Sequence, residues 1–338
     1  MMAPEMKKRS GECGSALIAV LFLVFSGSII AMSVLALSKS GTFQLSAHVE
    51  RQRSMLVAEG VATRIKWLLA ADNHLFPNEA AGETDYSVYE EHDRFLSDGV
   101  KHVIDYYGER VQVTVTDTIS GHDIINNRSK VLSFFTSDED IDEEEKEDVT
   151  LLQTKINDYI DSNDDAGEDS WEKAEYEDLG MAPLPRNATP EFREELLLIP
   201  EFARRFPMDK NGRLTGIRLI PPAGSPDLSG APSLFTATGE MIKYYCNIEE
   251  DKLPEVMQAL EEWRNNRVLL SDSLDEELLN QLKSGLAMNE SGIYTVTIEA
   301  PDDEPRPFAR LTFSYDGEMV PIGGPENGIV EYLEWNYY

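Results

Sequence analysis

Residues 15–37, SALIAVLFLVFSGSIIAMSVLAL, form an uncharged apolar run that directly follows a leader ending in KKRSGECG. As a helix rising about 1.5 Å per residue, this run reaches roughly 34 Å, enough to cross the hydrocarbon core of a bilayer. Lys7, Lys8 and Arg9 stand on its N-terminal side. That end is therefore expected to stay cytoplasmic and everything after Leu37 to be exported. A cleavable secretory signal is the simpler alternative, but its apolar core is shorter, about 7–15 residues. Beyond the run the chain keeps a helical character to about Ala71, with no proline and only Gly41 and Gly60 to interrupt it. One helix that begins in the membrane and continues as a stalk is expected.

The remaining residues, 38–338, contain no second run of that length, and mean hydropathy is negative at −0.35. They leave room for two domains with cores of their own. A formal net charge of −32 excludes a nucleic-acid partner, because phosphate binding needs a basic face. It equally disfavours lying flat on an anionic membrane surface. Two readings of the acidity stay open, solubility and cation binding. Cys13 precedes the run and Cys246 follows it, so on opposite sides of a membrane they cannot pair, and Cys246 reads as a small buried hydrophobe.

No catalytic constellation stands out. The five histidines, His48, His74, His92, His102 and His122, form no H-E-x-x-H or other close pair, and there is no G-x-S-x-G elbow or phosphate-binding glycine loop. Among 62 acidic residues, a carboxylate pair says nothing about acid–base chemistry. The chain reads as a non-enzyme. The run SDEDIDEEEKED (137–148) is expected to be a solvated loop.

The junction of leader and apolar run resembles the class III signal of type IV pilins and pseudopilins, in which a prepilin peptidase cuts after a glycine just before the apolar helix. Gly14 matches that glycine, which makes Ser15 the mature first residue and implies methylation of the new terminus. The family's usual glutamate at mature position five is replaced by Ala19. In the family that glutamate neutralises the terminal amine of a neighbouring subunit within the membrane, where an unpaired charge is costly. A subunit with nothing stacked above it has no amine to neutralise. Ala19 thus resembles the departure typical of the minor pseudopilin K of type II secretion, a tip subunit.

The segment VAEGVATRIKWLL (57–69) is similar to the stretch that many minor pilins place just outside the membrane, and Ala58, Val61, Ile65, Leu68 and Leu69 give it one apolar face. Pilin bodies bury such a face on a small antiparallel sheet. VQVTVT (111–116), IYTVTIEA (293–300) and FARLTFSY (308–315) alternate as half-buried strands, the segment near Val330 is a further candidate, and PDDEP (301–305) reads as a turn. Between the first and second of these strands the texture turns acidic and helical. Helices are expected over 145–160, over 189–199 with Thr189 as N-cap and Pro190 at the first position, over 253–263 and over 273–286. LFTATGEMIKYY (234–245) matches a later family element only loosely.

Within this insert, residues 155–200 resemble a block of the K pseudopilins, with Asp158, Asp161, Glu175, Pro185, Asn187, Glu194, Glu195, Leu196, Leu197 and Pro200 in the family's order. Glu201 replaces the glycine that follows, which also weakens any helix-hairpin-helix reading. DSNDDAGEDSWE (161–172) places Asp161, Asn163 and Asp165 at alternating positions with Glu172 twelfth, the oxygen spacing of an EF-hand-like calcium loop, although Ala166 and Glu168 depart from that loop's pattern. The resemblance independently implies calcium in this insert, with Glu175 in the matching segment.

The expected fold class is α+β: a long transmembrane and stalk helix on a small antiparallel pilin-like sheet, with a large helical domain inserted between strands. The expected organisation is a leader (1–14), a transmembrane helix (15–37), the stalk and first part of the body (38–117), the acidic insert (118–287) and the closing strands (288–338). The resemblance implies a minor pseudopilin of the inner membrane, with its N-terminus cytoplasmic and its body periplasmic. Such a subunit caps the pseudopilus and helps to nucleate it. Implied partners are the other minor pseudopilins, the major pseudopilin, the inner-membrane assembly platform and prepilin peptidase, with the secreted substrate or the secretin as further contacts. The competing readings are a minor pilin of a type IV pilus or competence system and a membrane-anchored periplasmic enzyme. N-terminal sequencing of the mature protein is expected to begin at Ser15; a start near Ser38 would instead indicate an ordinary signal peptide.

Overall fold

The structure, a computed structural model, describes residues 12–76, 82–84, 95–136, 141–164, 171–181, 183–206, 208, 212–214, 216–220, 228, 230–301, 309–317 and 332–337. The chain divides into two units, Met1–Ser54 and Met55–Tyr338. A single helix, α1 (Glu12–Leu75), runs through the boundary. It extends a little past the expected end, and Gly14 and Ser15 lie in its first turn.

In the first unit, α1 displays apolar side chains all round: Leu17, Phe22, Leu23, Met32 and Leu37 are all exposed. The hydroxyls among them turn back onto the helix, Ser28 donating to the Val24 carbonyl and Ser33 to that of Ile29, each at 2.8 Å. Polar groups satisfied inside the helix suit a segment that no water solvates. Among the described residues this helix alone is long and apolar enough to cross a membrane.

In the second unit, the part of α1 from Met55 onward lies on an antiparallel five-stranded sheet. The strands are β1 (Asp98–Tyr106), β2 (Glu109–Asp117), β3 (Ile293–Ala300), β4 (Ala309–Asp316) and β5 (Tyr332–Tyr337), neighbouring one another in chain order. Ala58, Val61, Ala62, Ile65 and Leu69, one face at helical spacing, are buried against Val111, Val113, Val115, Val296, Ile298, Leu311 and Phe313. The pairs Val115↔Val296, Val296↔Phe313 and Ile298↔Leu311 place these apolar residues side by side across three strands. On the opposite face, Thr118 meets Thr295, Thr295 meets Ser314 and Thr297 meets Thr312, with hydroxyls 2.9, 2.7 and 3.2 Å apart.

Strands β2, β3, β4 and β5 fall where alternation and the Val330 region predict strands, but β1 is an addition. The first strand is therefore Asp98–Tyr106, and the inserted segment leaves from the second. A two-residue turn joins β1 to β2 with positive φ at both Tyr107 (51°) and Gly108 (82°), the primed geometry that fits the strands' twist. Apart from Pro301, the proposed 301–305 turn lies outside the described residues.

The segment between β2 and β3 folds into helices around two cores. One is built from α2 (Arg128–Phe134), α3 (Glu143–Ile160), α4 (Lys173–Asp178), a 3-10 helix (Arg193–Leu198) and α5 (Phe202–Arg205). The other holds α6 (Gly239–Cys246), α7 (Leu253–Asn266), α8 (Leu270–Ser273) and α9 (Glu276–Gly285), with Leu96 before β1 joining it. Cys246 lies buried there, and burial pushes its thiol up to about 12. A further tie to the sheet is made by Arg267 at the end of α7, which donates to the buried Asp98 of β1 at 2.6 Å.

Two expectations are corrected here. The helix expected over 145–160 is present as α3 but begins two residues earlier, so Glu143 and Glu144, expected only in a solvated loop, join 145–148 in its first turns. Asp142 accepts from the Glu145 amide at 2.8 Å, and Glu143, Glu144 and Glu145 sit at the helix end whose dipole favours acids. The helix expected from Thr189 does not start there: residues 189–192 are non-helical and a 3-10 helix begins at Arg193. The cause is Glu195, whose buried carboxylate accepts the Glu191 amide at 2.8 Å and holds that segment out of the helical path.

Candidate cation site in the acidic insert

Asp158 lies in the last turn of α3, and Asp161 caps its C-terminal end in extended backbone. Asp158 and Asp161 are three residues apart, and the last turn carries no basic residue to balance the negative end of the helix dipole. Glu172, at the start of α4, faces them: Asp158, Asp161 and Glu172 each bring a carboxylate oxygen within 4.8 Å of the others. Glu172 is only 4% exposed, and its Oε2 has no hydrogen-bond partner. Burial, and then the charges of Asp158, Asp161, Asp164 and Glu175, push the Glu172 carboxyl up to about 7. Asp158 is raised as well, by burial first and then by Asp161 and Glu175, against the stabilising Trp171 amide.

The surrounding chain holds this trio in place. Asp158 accepts from the Trp171 amide at 2.7 Å, and the Glu172 amide donates to Glu175 at 3.0 Å. Asn187, in the left-handed region (φ 54°), donates to the Asn163 carbonyl at 2.9 Å and to Asp164 at 2.6 Å. Lys155 is buried under the Trp171 ring, 4.2 Å from its centre, and pairs with Glu201 at 3.6 Å. Glu201 occupies the left-handed region (φ 69°), where a glycine would be unstrained. A non-glycine residue there costs roughly 1–2 kcal/mol, which the ion pair to the buried ammonium helps to offset. Below the trio, Arg186 contacts both oxygens of Glu195 at 3.0 Å, and Tyr159 donates to Glu195 at 3.1 Å.

Of the residues expected from the twelve-residue spacing, Asp161 and Glu172 come together. Asn163 donates its amide to Asp161 at 3.2 Å and offers its carbonyl to Asn187, while Asp165 lies outside the described residues. Glu175 caps the start of α4 and adds charge to the cluster from beside it. The third carboxylate is Asp158. Its sequence signal is the three-residue step from the last turn of α3 to the C-cap Asp161, which a loop template starting at Asp161 passes over. An all-oxygen donor set with a buried, unpartnered carboxylate oxygen fits a hard divalent cation such as calcium, whose remaining ligands would be carbonyls or water.

The other sequence-marked positions lie elsewhere. Ala19 is exposed on α1. A hydroxyl-rich cavity of about 300 Å³ separates the outer face of the sheet from the insert, lined by Thr116, Thr295, Thr297 and Thr312. The two arginines at that cavity are engaged by acids, Arg193 by Glu194 at 3.3 Å and Arg213 by Glu334 of β5.

No family model matches the chain, and no curated protein sequence matches it. A search of solved structures finds a chain of the crystal structure of the GspK-GspI-GspJ complex from the enterotoxigenic Escherichia coli type 2 secretion system. The likeness has a TM-score of 0.54 at 10% identity, over 87% of this chain and 99% of that one. At that identity the likeness shows a shared fold and nothing more.

Proposed function

We propose that this protein is a K-like minor pseudopilin that ends the pseudopilus of a type II secretion system and helps to start its assembly. The observation that carries this reading is the large two-core insert between β2 and β3 of a pilin-like sheet, shared in fold with a chain of the GspK-GspI-GspJ complex. Such an insert obstructs packing along a shaft but is accommodated at an end. Ala19 supports the same position, because a subunit with no neighbour above needs no carboxylate for that neighbour's amine. The apolar part of α1 would anchor the chain in the inner membrane, with its basic leader cytoplasmic until prepilin peptidase removes it and its body periplasmic. Its role would be structural and non-enzymatic. Its partners would be other minor pseudopilins, as in the complex whose fold it shares, together with the major pseudopilin, the assembly platform and the secretin or the exported substrate. Immunogold labelling of sheared filaments is expected to mark one end; label at regular intervals along the shaft would overturn the reading.

The insert would hold calcium through Asp158, Asp161 and Glu172. A divalent cation offsets the burial and the mutual repulsion that raise the Glu172 and Asp158 carboxyls, and it gives the buried Glu172 Oε2 a partner. By joining the end of α3 to the start of α4, it would fasten the acidic connection between them. Calcium at a hundred times its dissociation constant would stabilise the fold by about 2.7 kcal/mol. Thermal melts of the detergent-solubilised chain are expected to show a higher Tm with millimolar calcium than with chelator, and Glu172→Gln should remove the difference. An unchanged Tm in the unsubstituted protein would leave the acidity to solubility alone.

A further inference from the structure

The face of the sheet turned away from α1 is a wall of hydroxyls. Thr116 of β2, Thr295 and Thr297 of β3 and Thr312 of β4 line the cavity of about 300 Å³ between this face and the insert. Leu214 and Ile217 of the first helical core and Met241 of α6 supply apolar surface in the same lining. The charges at the cavity cancel among the described residues. Glu194 lies between two arginines, 3.3 Å from Arg193 and 3.8 Å from Arg213, and Arg213 also pairs with Glu334. Two cations against two anions leave no surplus with which to hold an ionic ligand.

What the wall does offer is hydrogen bonding in an ordered array. Ser314 donates to Glu334 at 2.9 Å, which orients the hydroxyl chain Thr118–Thr295–Ser314, with steps of 2.9 and 2.7 Å. Thr116 donates to the Thr295 carbonyl at 3.3 Å. These threonines thereby present lone pairs. Thr297 and Thr312 share one proton at 3.2 Å, which leaves the pair a second proton to donate as well as lone pairs to accept with. The register sets Thr116 opposite Thr295 and Thr297 opposite Thr312. Hydroxyls thus repeat about 4.8 Å across the strands and about 6.7 Å along them, within the span of one sugar ring.

We propose that this cavity binds a neutral monosaccharide, with the ring hydroxyls on the threonine wall and a C–H face of the ring against Leu214, Ile217 and Met241. Each sugar hydroxyl both gives and takes hydrogen bonds, which is what a wall of lone pairs with a donor at Thr297–Thr312 asks of its ligand. The balanced arginines and glutamates favour an uncharged molecule over a phosphate or a metal ion. A volume of about 300 Å³ is at the small end for ligand pockets and suits one ring, not an oligosaccharide. The sugar would touch the sheet and both halves of the insert at once, so its binding would fasten the insert to the sheet by mass action.

Methyl NMR of the full chain, in a detergent without a sugar headgroup, tests this directly. Glucose, galactose, mannose and N-acetylglucosamine are titrated singly while the Thr295, Thr297 and Thr312 methyls are followed. At least one sugar should shift these methyls saturably, with a dissociation constant on the order of millimolar. Val296, on the α1 side of the sheet, should not move. Thr297→Val keeps the side chain's shape and removes its hydroxyl, and it should weaken that binding on the order of fivefold, read at Thr295 and Thr312. Absence of saturation by all four sugars in the unsubstituted protein would overturn the proposal and leave the cavity to water, whether or not the variant folds. Saturable shifts with inorganic phosphate would also overturn it, because they would show an anion site. An unchanged affinity in Thr297→Val would do the same.

Discussion

The body depends on one apolar contact, the seating of α1 on the sheet. Ala58, Val61, Ala62, Ile65 and Leu69 meet valines, isoleucines and aromatic rings from three adjacent strands, and all five are almost completely buried. Small residues at 58 and 62 let the backbone approach, and Gly60 does the same on the flank. A Cβ at Gly60 would stand 2.3 Å from the Tyr106 hydroxyl, so the aromatic end of β1 could not lie where it does. The same helix is apolar on every face nearer its N-terminus, where no protein surface covers it. One continuous element thus changes from a lipid-suited cylinder to a one-sided amphipath, and the change is written in its residue pattern.

The insert follows a different rule. It joins a five-stranded sheet without interrupting a strand, because it leaves and returns at adjacent strand ends: Asp117 closes β2, and Ser291 lies just ahead of β3. Both of its cores are conventional apolar clusters, so its acidity is concentrated where helices begin and end. Some of that charge is matched by helix ends, as at Asp142 to Glu145. Some is matched by arginines, as at Glu195. At the Asp158–Asp161–Glu172 cluster only Glu172 gains from a helix start, while Asp158 and Asp161 sit at the end of α3 whose dipole disfavours acids, which distinguishes the cluster from ordinary surface acidity.

Much of this was legible in sequence because its signals are periodic. The apolar run, the stripe from Ala58 to Leu69 and the alternation of VQVTVT and IYTVTIEA all report a buried face directly. Strand β1 was hidden by composition: its inward positions include His102 and its outward ones Val103, which is half exposed, so an edge strand shows no clean alternation. The 3-10 turn at Arg193 was hidden by a tertiary contact, since Thr189–Pro190 is a sound helix start that the Glu195 carboxylate overrides. For the cation cluster, sequence supplied Asp161 and Glu172. Asp158 needed the helix geometry of α3, and the roles of Glu175 and Asn187 as braces needed the fold. The hydrogen bonds from Ser97 to Glu290 and from Ser291 to Asp117 join residues too distant in sequence for any spacing to reveal.

The proposed position at a filament end implies a stoichiometry, because an insert that blocks stacking would admit this subunit only once per filament. Quantitative mass spectrometry of purified filaments, with isotope-labelled peptides from this chain and from the major subunit, measures it. The expected result is a copy number near one per filament that stays constant as filament length grows. A count that rises in proportion to the major subunit would contradict it.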